Sequence, residues 1–224
     1  MNKRWEILPI DEKKQILLEK NLHISSSLAE ILTRKNLDEN SAKLFLNPTK
    51  IPYHDPFLLK DMEKACQRLL LALKNKEKIC IYGDYDVDGV SSTALLMTVF
   101  TKLGFNIDYY LPDRHSEGYG LHIESLQKLI PKYDLLITVD CGITALDEVD
   151  YAKDKIDMII TDHHLPRKIL PDAFAIINPT QTQCNYPNKN LCGVGVAFKL
   201  CQGLYQSLNK DIHELENYLD IVAL

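Results

Sequence analysis

Three short apolar runs, each stopping on an acidic residue, constrain the fold of this 224-residue chain more than any other feature: ICIYGD at 79–84, LLITVD at 135–140 and MIITD at 158–162. Runs of this length, rich in Ile, Val, Leu and Thr and closed by turn residues, read as buried strands. Further strands are expected at 106–111 and 175–177, and the fourth strand at 157–161. Between them, apolar residues recur at helical spacing over 90–103, 123–130 and 145–153. Strands alternating with helices predict an α/β fold, a parallel sheet flanked by helices on both faces. Sheets of this kind bind ligands beyond the carboxyl ends of their strands. The acidic residues fall at those ends.

The first of these turns, Gly83-Asp84-Tyr85-Asp86-Val87-Asp88-Gly89, joins a strand to the helix expected from Val90. Three carboxylates on one turn repel one another and raise each other's pKa unless a cation neutralises them. An EF-hand calcium loop also begins Asp-x-Asp-x-Asp-Gly, but it needs a preceding helix and a Glu at its twelfth position. Here a strand precedes the turn and that position is Leu95. Asp140 ends the third strand, and Asp162-His163-His164 follows the fourth. Taken singly, each of these residues reads as a helix cap or a hydrogen-bonded loop residue. Their coincidence at successive strand ends favours a site for Mn²⁺ or Mg²⁺, which suit oxygen ligands with one or two imidazoles. With more carboxylates than one ion uses, a pair of ions is expected, and with it hydrolysis of a phosphoester or phosphoanhydride.

Residues 1–75 read differently. Helical spacing recurs over 11–20, 27–35, 38–46 and 60–74, broken by a stretch with three prolines at 47–56. The chain therefore divides into a helical segment, 1–75, and an α/β domain, 76–224. Six cysteines form no Cys-x-x-Cys pair, which argues for reduced thiols and a cytoplasmic protein. No apolar run approaches the ~20 residues of a membrane span. A net charge of −5 offers no general attraction to nucleic acid, although an enzyme reaching phosphates through metal ions need not be basic.

Competing chemistries fail on spacing. A cysteine phosphatase built on Cys141 needs an Arg six residues later, where Asp147 stands. Gly193-Val194-Gly195 fails as a dinucleotide fingerprint because Phe198 takes the last glycine's place. Two stretches suit anions. Arg114 lies in the glycine-containing loop 112–121, which reads equally as a phosphate-binding loop or a surface loop. The glycines at 193 and 195 open an apolar helix whose amides favour a phosphate, though a tight turn before a packed helix explains them as well.

GDYDVDG, TVDCGIT, TDHHLP and the segment from Cys184 to Leu200, CNYPNKNLCGVGVAFKL, together resemble the RecJ-type single-strand exonucleases of the DHH phosphoesterase superfamily. The resemblance extends to the helical segment through its FLNP and DPFLLKDMEKA phrases. It implies an Mn²⁺- or Mg²⁺-dependent 5′ exonuclease, with single-stranded DNA as substrate, a single-strand-binding protein and a helicase as partners, no membrane and a monomer. It implies metal binding by Asp84, Asp86, Asp88, Asp140 and His163, with Asp86, Asp140, His163 and His164 in the catalytic group. It places Asp162 behind His163 as an orienting partner, His164 toward a second metal or the scissile phosphate, and Arg114, Glu117, Tyr119, Gly193 and Gly195 on the substrate side. Tyr82 stands where related pyrophosphatases and oligonucleotide phosphodiesterases carry His, which favours the RecJ branch. In the family, LDIVAL runs on into a Gly-Thr-x-Ala-Asp segment with a further ligand, and Asp220 is expected to be a helix residue rather than that ligand. Residues 1–224 alone are accordingly expected to show weak or no nuclease activity. A DHH phosphohydrolase for pyrophosphate or short oligonucleotides and a non-catalytic binding module are the alternatives.

Overall fold

The computed structural model describes residues 9–47 and 52–224, so part of the proline-rich stretch expected at 47–56 lies outside the described residues. The chain separates into two compact units, Met1–Tyr53 and His54–Leu224. In the first, α1 (Glu12–Leu22), α2 (Ser26–Arg34) and α3 (Glu39–Leu46) are each started by a short polar side chain that accepts from an orphan amide. These caps are Asp11 to the Lys14 amide at 3.1 Å, Ser25 to Leu28 at 3.3 Å and Asp38 to Ser41 at 2.7 Å. Leu18, Ala29, Leu32 and Ala42 form the buried core of this unit. The helix α4 (Met62–Asn75) falls in the second unit, so the units divide one helix earlier than the change in sequence pattern at residue 76.

The second unit is a five-stranded parallel sheet, ordered β2 (Asn106–Tyr110), β1 (Lys78–Gly83), β3 (Leu135–Val139), β4 (Asp157–Thr161), β5 (Ala175–Ile177). The central strands are apolar almost throughout because helices cover both faces. On one face Cys80, Tyr82, Leu136, Met158 and Ile160 pack with Leu126 and Leu129 of α6 (Ile123–Leu129) and with Val149 and Ala152 of α7 (Leu146–Ala152). α4, α5 (Val87–Lys102) and α8 (Gly193–Ser207) contact the sheet, and α4 and α5 each pack on α8. A short α9 (Leu219–Val222) contains Asp220. Among the described residues no helix is long and apolar enough to cross a membrane.

This strand order creates the crevice the site uses. The chain leaves β1 toward β2 on one side and returns to β3 on the other, so the loops after β1 and β3 diverge. α5 begins at Val87, three residues before the expected start, because the Asp86 carboxylate supplies its N-cap, accepting from the Gly89 amide at 3.0 Å. Asp88 consequently lies in the first turn of the helix rather than in a loop.

Candidate metal centre

The ends of β1, β3 and β4 deliver Asp84, Asp140 and Asp162, whose residues are only 1%, 2% and 1% exposed. Gly89 lets α5 start this close to the first strand end, since a Cβ there would lie 2.5 Å from the Asp84 carbonyl oxygen. Asp140 adopts a left-handed conformation, φ 60°, tolerated best by Asn, Asp and Gly. Gly142, φ 108°, completes the turn under it, where a Cβ would meet the Thr138 hydroxyl at 2.9 Å.

Ligand-type atoms converge in two groups, each within 4.8 Å: Asp84, Asp86 and Asp140, and Asp140, His163 and His164. Asp140 belongs to both. Neither oxygen of Asp84 makes a hydrogen bond, and the buried Oδ1 of Asp140 faces only His163 Nε2, at 3.1 Å. Burial pushes the Asp84 carboxyl up from its ordinary range, with the Tyr85 amide opposing. Burial, and after it the charges of Asp88 and Asp86, pushes Asp140 up to about 8. Buried carboxylates without donors are costly, and a divalent cation relieves that cost for both groups at once.

Asp162 is different. Its Oδ1 accepts from the His163 amide at 2.7 Å and the His164 amide at 3.0 Å, and its Oδ2 from the Ile143 amide at 2.9 Å. His164 Nδ1 lies 2.7 Å from the same Oδ1. Burial works to raise the carboxyl, but His164 and the amides hold it below its usual value. The same hydrogen bond raises the His164 imidazole. Asp162 therefore orients His164, not His163 as expected. With its carboxylate folded back onto the two following amides it meets the ring two residues on, while the His163 ring turns to Asp140.

Asp88 falls outside both groups. Its Oδ2 accepts from the Gly193 amide and its Oδ1 from the Val194 amide, both at 2.6 Å, and Oδ2 lies 3.7 Å from His163 Nε2. The first amides of α8 are thus occupied by a carboxylate of the protein itself. Gly193 is sterically required, since a Cβ would stand 2.6 Å from Asp140 Oδ1, whereas a Cβ at Gly195 would make ordinary contacts at 3.5 Å.

On the other flank, the loop after β2 carries Arg114, Glu117 and Tyr119. Glu117 organises the loop rather than facing the crevice, accepting from the hydroxyls of Tyr110 and Ser125 and from the Asp113 amide. Gly118 and Gly120, φ 82° and 89°, adopt left-handed conformations on either side of Tyr119. Tyr119, 53% exposed, places its hydroxyl 3.3 Å from His164 Nε2. The exposed Arg114 lies with its guanidinium 5.4 Å from the ring centre of Tyr85, the residue between Asp84 and Asp86.

Two residues were not singled out from the sequence. Tyr85 is the platform under Arg114, and its only signal is an aromatic residue inside the acidic turn. Arg167 lines a cavity of about 240 Å³ together with Tyr119, Gly142, Asp162 and His164, and its signal is a basic residue three positions beyond the His pair. A larger cavity of about 540 Å³ opens at the amino ends of β3 and β4, beside Lys64, Asp157 and Phe174, and touches none of the site residues. Cys141 is buried against Tyr82 and Ile160, as a packing residue.

Comparison with known proteins follows the same lines. The single-stranded-DNA-specific exonuclease RecJ of Bacillus subtilis is 43% identical over 215 residues, 95% of this chain and 27% of that protein. A crystal structure of exonuclease RecJ bound to manganese superposes with a TM-score of 0.69 at 33% identity, over 77% of this chain and 43% of the other. RecJ from Thermus thermophilus in complex with Mn²⁺ gives 0.76 at 26% identity, over 98% and 31%. The chain thus spans less than half the length of each of these relatives. The model of the N-terminal domain of the DHH family matches residues 78–224, the span that holds every strand-end acid and both histidines, and the chain belongs to the DHH family.

Proposed function

We propose that Asp84, Asp86, Asp140, His163 and His164 hold one or two Mn²⁺ or Mg²⁺ ions, and that the chain is the metal-binding catalytic domain of an exonuclease degrading single-stranded DNA from its 5′ end in recombination and repair. The observation that carries this reading is the pair of ligand groups sharing Asp140, with buried oxygens on Asp84 and Asp140 that accept no hydrogen bond. The names of the relatives, single-stranded-DNA-specific exonucleases and manganese-bound RecJ, support the substrate and the metal. The same reading carries a single-strand-binding protein and a helicase as partners, a monomer and a cytoplasmic location.

Held by these residues, a divalent ion would supply a water of lowered pKa and positive charge for phosphoryl oxygens. The chain's own residues set the geometry. Asp162 holds His164 through Nδ1, which leaves Nε2 directed toward the Tyr119 hydroxyl and the crevice. With a raised pKa, His164 keeps a second proton to higher pH than a free imidazole, so it can hydrogen-bond a phosphoryl or leaving-group oxygen when no ion occupies it. Arg114, held over Tyr85, presents a fork of donors for a phosphate beside Asp84 and Asp86.

The test is a Mn²⁺ titration followed by electron paramagnetic resonance, paired with digestion of single strands labelled at the 5′ or the 3′ end by this chain or a longer protein containing it. Saturable Mn²⁺ binding that is lost in Asp140→Asn, with release of the 5′ label ahead of the 3′ label, is expected. Absence of Mn²⁺ binding would refute the reading.

A further inference from the structure

The series of polar residues at strand ends continues past the three acids. β5 ends at Ile177, and the next residue, Asn178, is fully buried and uncharged. Its side chain crosses to the loop after β4, where Nδ2 donates to the His164 carbonyl oxygen at 2.9 Å. Oδ1 accepts from the Thr180 amide and the Thr180 hydroxyl, both at 2.7 Å. The hydroxyl also stands 3.2 Å from the His164 carbonyl, but its one proton has the closer acceptor in Asn178. An amide N–H only donates and a backbone carbonyl only accepts, so Thr180 and His164 together fix which way round the Asn178 amide lies. An acid in this place would serve Thr180 and set its other oxygen against the His164 carbonyl.

The platform under Asn178 is itself secured. β5 lies at the edge of the sheet, and side chains take both main-chain groups of Ile176. Asp61 Oδ2 accepts from its amide at 3.0 Å, and Gln181 Nε2 donates to its carbonyl at 2.6 Å. On the inner side the Asp162 amide donates to the Ile177 carbonyl at 3.1 Å, which carries the ladder between β4 and β5 past the last paired residues. β5 thus holds a set place beside the Asp162-His163-His164 turn, and Asn178 passes that restraint to His164. The His164 main chain is gripped at both ends, its amide by Asp162 Oδ1 at 3.0 Å and its carbonyl by Asn178. With Nδ1 held by Asp162 as well, Nε2 is left with one direction, toward the Tyr119 hydroxyl at 3.3 Å.

We infer that Asn178 is a positioning residue for the phosphodiester chemistry: by holding the His164 carbonyl it keeps the imidazole turned into the crevice. The catalytic half of this inference rests on the function proposed above, while the hold on His164 does not. Asn178→Asp keeps the size of the side chain and the acceptor for Thr180 but loses the donor, and it faces one acceptor with another. Asn178→Ala removes both partners.

The experiment compares the wild type with Asn178→Asp, Asn178→Ala and Gln181→Met. NMR of the imidazole C–H groups is recorded on the metal-free chain, and 5′ digestion of single strands is followed in a longer protein containing it. Gln181→Met removes the bond to the Ile176 carbonyl, so it loosens β5 without touching His164. In both Asn178 variants the His164 ring signals are expected to shift or broaden, and kcat to fall ~10–100-fold with KM unchanged, the range typical of groups that orient a reacting side chain. Gln181→Met is expected to lower Tm while keeping the wild-type ring signals and kcat. If Asn178→Ala does not fold, Asn178→Asp carries the test. Wild-type ring signals in the Asn178 variants would overturn the inference, and so would displaced signals with an unchanged kcat. If Gln181→Met moves the ring and kcat as far as Asn178→Asp does, general loosening of β5 accounts for the effect and the inference falls. If the wild type digests no single strands, the proposed function fails and the ring signals decide the hold alone: displaced signals uphold it, and wild-type signals overturn it.

Discussion

Asp140 is the residue on which the metal-centre reading can be tested most directly, by replacing it with Asn in the absence of metal. The residue is 2% exposed, its buried Oδ1 accepts no hydrogen bond, and burial with the charges of Asp88 and Asp86 pushes the carboxyl up to about 8 from 3.8. At pH 7 the unfolded chain has lost this proton and the folded protein keeps it, which costs the fold about 4 kcal/mol at roughly 1.4 kcal/mol per pH unit. Asn removes that cost and suits the backbone, whose φ of 60° would strain Ala. Its new N–H₂ forfeits about 1–2 kcal/mol if it finds no acceptor. We therefore expect Asp140→Asn in EDTA at pH 7 to be more stable than wild type by about 2–3 kcal/mol, or about 4–12 °C in Tm for a chain of this size. The sign follows from linkage: the folded pKa is raised, so the wild type gives up relative stability as pH climbs from 3.8 to about 8, and the variant's advantage vanishes at low pH. Saturating Mn²⁺ reverses the order, since a ligand at a thousand times its Kd adds about 4 kcal/mol to the protein that binds it. Chemical denaturation in EDTA and in Mn²⁺ at several pH values measures all of this. A variant less stable than wild type in EDTA, or one that gains as much from Mn²⁺, would refute the reasoning.

Other parts of the molecule make independent predictions. Arg68, 9% exposed, bridges Glu77 at 2.7 Å and Asp157 at 2.6 Å, so Arg68→Met should cost about 3 kcal/mol by stranding Glu77, with Mn²⁺ affinity unchanged in calorimetry. Burial lowers the Lys199 ammonium to about 8 from 10.5, with Asp55 opposing. Because its folded pKa is depressed, stability should rise between those values by about 3 kcal/mol relative to Lys199→Met, and denaturation curves at matched pH would show a flat difference if this is wrong. Asp162→Asn should lower the His164 pKa in metal-free protein toward 6.5, read by NMR of the imidazole protons, because its chief partner is lost. In the wild type the stability supplied by that pair is lost as pH falls through the depressed Asp162 pKa or rises through the raised His164 pKa.

What was legible in the sequence was what parallel sheets impose on composition. Strands buried on both faces are continuous apolar runs, so β1, β3 and β4 and the acids that end them stood out without any contact information. What was not legible depends on hydrogen bonds between distant segments or on side-chain torsions. Nothing in DYDVDG distinguishes a carboxylate that caps its own helix, as Asp86 does, from one that caps a helix 105 residues later, as Asp88 does. Nor does the order Asp162-His163-His164 say which ring the acid meets. That choice is made when the Asp162 carboxylate turns back onto the amides of both histidines. Glu117 misled in the same way, since its likeness to a substrate-side residue concealed its bonds to Tyr110 and Ser125.

The acids of the crevice differ in how many donors each one already has. Asp162 accepts from three amides and pairs with an imidazole, and its carboxyl stays acidic although almost wholly buried. Asp88 accepts from two amides. The charge of these two is already partly offset by donors of the protein itself. Asp84 and Asp140 are buried as deeply but accept no hydrogen bonds, and both have raised pKa values. A fold that desolvates two carboxylates at neighbouring strand ends and gives them so few donors must hold them protonated at a cost or gain a cation. Asp140 stands where both ligand groups overlap, so the electrostatic demand is greatest where a shared ligand is needed. By this reasoning adding a donor, not removing an acid, is the sharper perturbation: a Lys introduced at the exposed Val87, if its ammonium reaches the Asp86 and Asp84 carboxylates, should stabilise the metal-free protein and weaken Mn²⁺ binding together. Opposite shifts in the two measurements on this one variant are expected, and parallel shifts would show that the unsatisfied carboxylates are not what draws the ion.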